Sequence, residues 1–190
     1  MRRKNVRVIT YTGVMIAVTL LFQSLRLFFP GLVLFSFGTF SLMQILIGAL
    51  VNLCLLITSW NAGIAPGLLL SFLAPVAAFM QGQLPIPHMI AVVSAGNAIY
   101  CLIAWIPFAT AGTRFALTIL AALAKFGLLS LLVLRLVVPV LLPAALTGAP
   151  QIEKVAAALT GGFVWPQLLT GVLGGLLAYA ISPRLPKITE

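Results

Sequence analysis

Lys125 is the residue in this sequence that most needs a chemical explanation. It stands in the middle of an apolar run, well separated from the next charged residues, Arg114 and Arg135. An ammonium held at mid-membrane depth is costly. It needs a water-filled cavity, a cluster of carbonyls or an anionic ligand group. The chain supplies no carboxylate to pair with it, because its only two acidic residues are Glu153 and Glu190 and neither falls within an apolar run. Snorkelling relieves Arg26 and Arg135, which lie nearer a surface, but is strained from mid-span.

The remaining polar groups within or beside apolar runs are uncharged. Gln44, Gln81, Gln83, His88, Asn97, Trp165 and Gln167 are the candidates. Amides offer donors and acceptors together, and an indole offers a stacking face. Lys125 and six of these make a substrate-binding set of Gln44, Gln81, His88, Asn97, Lys125, Trp165 and Gln167, suited to a small polar ligand. Each has a plainer reading. Gln44 and Gln81 could sit at the membrane interface, His88 could cap a helix, and Asn97 could bond to a neighbouring helix.

Catalysis finds little material here. Paired carboxylates, histidine clusters and metal-ligand spacings are missing from a chain with a single His. Acid–base, metal-dependent and Ser/His/Asp chemistry therefore have no support. We expect no catalytic residues, no metal and no cofactor, and hence no enzyme. Cys54 and Cys101 lie inside apolar runs without metal-type spacing and read as apolar fillers.

These residues must be positioned by membrane helices. The chain is 62% hydrophobic and only 7% charged over 190 residues, too little polar surface to cover a soluble core. A bilayer crossing takes about 20 apolar residues, with every backbone group bonded internally. Six such runs can be traced, at about 8–28, 40–58, 62–80, 88–109, 113–138 and 155–181. The sequence thus predicts an all-α bundle in a single membrane domain over 1–190. The first run is too long for a typical signal-peptide core and ends without a small-x-small cleavage pattern. Arg2, Arg3, Lys4, Arg7, Arg184 and Lys187 flank the outermost runs, which predicts cytoplasmic termini. The net charge of +9 is explained this way, without nucleic acid. The loops at 30–39, 81–87 and 140–154 then face outward. Trp60 and Trp105 fall near inner ends, where tryptophan anchors at the interface.

Small residues recur four positions apart at Gly13 and Ala17, Gly63 and Gly67, and Gly171 and Gly175. Such pairs let membrane helices approach closely. In the first run the pair could equally serve a partner chain.

The chain length, six spans, basic N-terminus and Gly13-x-x-x-Ala17 pair resemble the S component, the substrate-binding subunit, of an energy-coupling factor (ECF) vitamin importer. The stretch Gly63-Ile-Ala-Pro-Gly67 through Leu73-Ala-Pro-Val76 to Gly82 resembles the glycine- and proline-marked third helix of such subunits. Pro85-x-Pro87 with Gly96-Asn97 resembles the next loop and helix in some of them. The resemblance implies high-affinity binding of a small water-soluble vitamin or nucleobase-like micronutrient near the outer face. It implies docking, through small residues of the first helix, here Gly13 and Ala17, on a transmembrane coupling protein that carries two ATPase subunits. The absence of a Walker-type glycine loop fits a subunit that borrows ATP hydrolysis. It also implies a prokaryotic plasma membrane. A neutral base-like ligand, or one with a carboxylate near Lys125, suits the residues, whereas a cation held by charge pairing does not. The principal alternative is a stand-alone small-solute carrier or channel. A membrane enzyme lacks acid–base groups, and a structural or assembly protein would need no ligand site.

Overall fold

The structure is a computed structural model that describes residues 2–29, 36–37, 40–107, 110–146, 151–185 and 188. It is a helical membrane bundle. Five helical runs are long and apolar enough to cross a bilayer, and a sixth, Ile64–Met80, is apolar but shorter. Helix α1 spans Arg2–Phe28, α2 Leu42–Ala62, α3 Ile64–Met80, α4 His88–Trp105 and α5 Ala111–Leu132. Short helices α6 (Leu142–Ala145) and α7 (Ile152–Ala157) precede α8 (Val164–Ile181). A two-residue antiparallel ladder, Ser36–Phe37 with Phe40–Ser41, leads into α2.

Helix α2 is the central post. It packs on α1, α3, α4 and α8, while α5 closes the ring between α4 and α8. Helix α1 lies at the periphery, touching α2 and α3. Glycine fixes the α2–α3 junction. Gly63 has φ 103, a left-handed value that side-chain-bearing residues avoid, and the chain reverses there within one residue. That break falls beyond the predicted stop at Ser59-Trp60-Asn61, all of which are helical. Thr110 caps α5, its Oγ1 accepting from Thr113 N at 3.2 Å. This starts the helix at Ala111, ahead of the predicted position 113.

The largest departure from the predicted spans concerns proline. A stop before Pro139 is expected, because proline cannot donate to the i−4 carbonyl and clashes with it. Instead the chain stays helical from Ala111 to Ala145, with a π-helical stretch at Val133–Leu141. The wider i→i+5 winding accommodates the ring. The last run also starts earlier than expected, at Ile152, and passes through a second π stretch at Ala158–Phe163. The two π stretches touch each other. Most of the predicted 30–39 loop, residues 147–150 and Lys187 lie outside the described residues.

Two apolar clusters divide the bundle lengthwise. One gathers Leu53 to Ile57 of α2 with Leu70, Tyr100, Cys101, Ala121, Ala122 and Ala178. The other gathers Met89 and Val92 of α4 with Leu129, Val133, Val137, Leu142, Leu159 and Val164. The first marks a closed end, where α1 and the C-terminal segment both meet α2. There Asn61 Nδ2 donates to Tyr11 Oη at 3.2 Å, and Ile188 N donates to Asn61 O at 3.0 Å. Arg114 stacks over Trp60 at 3.9 Å and donates to Ser182 Oγ at 2.7 Å. The second cluster walls an open end.

Candidate functional site

A cavity of about 790 Å³ occupies the open end, within the size range of small-ligand pockets. It is lined by α1, α2, the last turns of α3 and its following loop, α4, α5, α7, the second π stretch and α8. Lys125 and Asn52 form the polar floor. Lys125 is 2% exposed, and its Nζ donates to Asn52 Oδ1 at 2.6 Å. Asn52 Nδ2 donates in turn to Thr170 Oγ1 at 3.3 Å. The Tyr100 ring lies 5.4 Å from Nζ, within cation–π range. Tyr100 is itself fixed by its hydroxyl, which donates to Gly171 O at 2.6 Å.

Two wall amides are held by carbonyls that prolines release. Pro75 cannot donate to Ser71 O one turn back, and Asn97 Nδ2 approaches that oxygen at 3.4 Å. Pro166 cannot donate to Gly162 O, and Gln44 Nε2 does so at 2.9 Å. In both cases the amide nitrogen is committed to the fold, and the amide oxygen accepts nothing from the described residues. The Gln167 side chain makes no hydrogen bond with the described residues, and Gln167 lines the cavity.

The structure therefore brings Gln44, Asn97, Lys125 and Gln167 to one cavity, and leaves three other candidates out of its lining. Gln81 stands behind the wall. Its Nε2 donates to Ser24 Oγ at 3.3 Å and its Oε1 accepts from Gln83 Nε2 at 2.7 Å. His88 is exposed at the first residue of α4. Trp165 is 58% exposed and tilts against Phe126 at 5.2 Å. Helix rotation turns it outward, since its neighbours Val164 and Pro166 are buried. It thus presents its face to lipid, away from the cavity.

Sequence reasoning passed over Asn52, Gln23 and Lys154, which also line the cavity. Asn52 carried the same signal as Asn97, an amide deep within an apolar span. Gln23 is buried on α1, where Nε2 donates to Ala74 O at 2.9 Å and Oε1 meets no partner among the described residues. Ser41 Oγ, also at the lining, is likewise unpartnered among them. Among the described residues the charges at the lining are all positive: Lys125 below, with Arg26 and Lys154 exposed at the rim.

The glycine pairs divide by use. A Cβ on Gly67 would strike Ser59 Oγ, and one on Gly175 would strike Thr118 Cγ2 and lie 3.1 Å from Tyr100 Oη. Those glycines serve packing within the bundle. A Cβ on Gly13 would meet nothing within 4 Å, and Gly13 and Ala17 are both exposed on α1. Comparison with protein-family models, with curated proteins and with solved structures finds no match in any of the three.

Proposed function

We propose that this protein is the substrate-binding subunit of an ATP-driven importer of the ECF type, taking up a small water-soluble micronutrient. The observation that carries the reading is the cavity: a pocket of ligand size, floored by a buried lysine and walled by amides, confined to one half of a membrane bundle. The described residues that line it stop at Asn52, Asn97 and Lys125, and none is a buried member of the closed-end cluster, on which only Val51 of the lining packs. A binding vessel has this form. A stand-alone channel would need a continuous path, and the tightly packed closed end opposes one.

In this reading the closed end faces the cytoplasm of a prokaryotic cell. Lys4, Arg7 and Arg184, all exposed, belong to that end. The cavity then opens outward, and Gln83 lies outside. Accessibility to an impermeant thiol reagent in intact cells tests the orientation. A cysteine at position 83 should label and one at position 4 should not; the reverse pattern would refute it.

Transport in this reading depends on partners that bring ATP hydrolysis. The exposed Gly13 and Ala17 on peripheral α1 support docking of a coupling protein there, because a small-residue face allows close helix approach. Gly13→Leu and Ala17→Leu should leave solute binding intact and abolish co-purification with a coupling protein and two ATPase subunits. Co-purification of the wild-type chain from its native membrane is the decisive experiment. Recovery of the chain without any ATPase, together with uptake that is independent of ATP, would favour a stand-alone carrier.

A further inference from the structure

The cavity's charge identifies the class of solute. We infer that it takes a small organic carboxylate, seated with its carboxylate on Lys125 Nζ at the floor. This rests on the reading of the cavity as a solute site.

Lys125 has fewer acceptors than donors among the described residues. An ammonium has three donors, and among the described residues its one hydrogen-bond acceptor is Asn52 Oδ1. Among the described residues no acidic side chain lines the cavity, and Glu153 is exposed on α7. Lys125 lines the cavity, so its remaining donors depend on what fills it. A solute that fills the cavity expels water from it. A neutral solute gives that ammonium no counter-charge, and a cationic solute adds a second positive charge; both are unfavourable. A carboxylate replaces the lost water with a charge-assisted hydrogen bond.

The geometry also sets the count. One buried ammonium neutralises one negative charge. Its neighbour Asn52 is neutral and already donates to Thr170. A phosphate dianion would carry a second charge into the same apolar surroundings without a partner, so a monocarboxylate fits best. Arg26 and Lys154 are exposed at the rim. They raise the local concentration of anions at the entrance. Above the floor, Gln167 offers donors and an acceptor, and Gln23 Oε1 is an unpartnered acceptor among the described residues. The body of the solute should therefore bear N–H or O–H groups as well.

The test uses the full chain, purified in detergent and incubated with a deproteinised extract of cellular small molecules. The protein is separated rapidly by gel filtration, and retained compounds are released and identified by mass spectrometry. A second extract has its carboxylates converted to primary amides. The wild-type protein should retain a carboxylate from the first extract. Retention should fall about ten- to a hundredfold with the amidated extract, and by a similar factor in Lys125→Met, as expected for one charge-assisted hydrogen bond. The amidation arm needs no variant, so it decides the matter even if Lys125→Met fails to fold. Retention of a neutral, cationic or purely phosphorylated compound, or retention that survives amidation, overturns the inference while leaving a solute site in place. Retention of nothing from either extract removes the solute-site reading, and the inference with it.

Discussion

The two ends of this bundle differ in how their helices are interrupted and how their polar groups are met, while tight glycine contacts run through both. Gly67 and Gly175 leave no room for a Cβ at the closed end, nor do Gly48 and Gly96 beside the cavity. A Cβ on Gly174 would come within 2.5 Å of Ala49 O and 2.6 Å of Asn52 Cβ. Polar groups at the closed end bond to each other or to local backbone, as Ser59 Oγ does with Leu55 O at 2.8 Å. At the open end the helices are interrupted by prolines and widened into π turns, and Gln23 Oε1 and Ser41 Oγ, unpartnered among the described residues, lie at a cavity. π segments are often found at functional sites. Rigidity at one end holds the walls of a vessel at the other, and the junction between them is Asn52, which contacts Gly174 on one side and Lys125 on the other.

The sharpest way to break this division is to overfill the closed end. Gly174→Leu places side-chain atoms against the α2 backbone, which cannot yield cheaply. Destabilisation of about 3 kcal/mol or more is expected, the upper end of overpacking costs, read as a large fall in melting temperature or as aggregation in detergent. Gly13→Leu, with open space around it, should melt within a degree or two of wild type. Equal damage from both would mean that α1 packs more tightly than the exposed Gly13 indicates.

At the open end the expected effects fall on binding more than on stability. Lys125→Met removes a buried charge and keeps a chain of similar length. Its melting temperature should hold or rise, while the stabilisation conferred by retained solute disappears. A variant that melts earlier yet keeps the full solute-induced stabilisation would make Lys125 a structural residue. Gln167→Ala sharpens the same point, because its side chain bonds to no described residue. Its stability should stay within about 0.5 kcal/mol of wild type, while solute affinity falls roughly five- to a hundredfold. Unchanged affinity would remove Gln167 from the site.

Much of this was legible in the sequence, and the illegible part has a common cause. Apolar run length marks the helices because a bilayer leaves the backbone no alternative. Lys125 is conspicuous for the same reason. What a linear sequence lacks is the rotation of each helix about its axis. Gln167 and Trp165 are two residues apart, yet one lines the cavity and the other faces outward. The four-residue spacing of Gly13 and Ala17 is identical to that of Gly171 and Gly175, yet only the second pair is buried. The π stretches were also hidden. Pro139 reads as a stop, and whether a helix ends or widens there depends on what surrounds it.

The prolines also supply the finest test of the comparison, because they tie fold and site together through single hydrogen bonds. Asn97 Nδ2 serves a carbonyl that is free only because position 75 is a proline. Asn97→Ala in the wild-type background should therefore leave Ser71 O unsatisfied and cost about 1 kcal/mol of stability. In a Pro75→Ala background the new backbone N–H can donate to Ser71 O, and the same change should cost markedly less. The difference between the two costs, a double-mutant coupling of about 0.5–1 kcal/mol, measures what the amide contributes to the fold. Binding should behave differently. If the Asn97 oxygen meets the solute, affinity falls with Asn97→Ala in both backgrounds, whatever residue stands at 75. Stability coupled to Pro75 and affinity independent of it would assign the two ends of one amide to two tasks. Affinity that recovers when Pro75 is replaced would mean that Asn97 acts on the solute only by holding α3 in place.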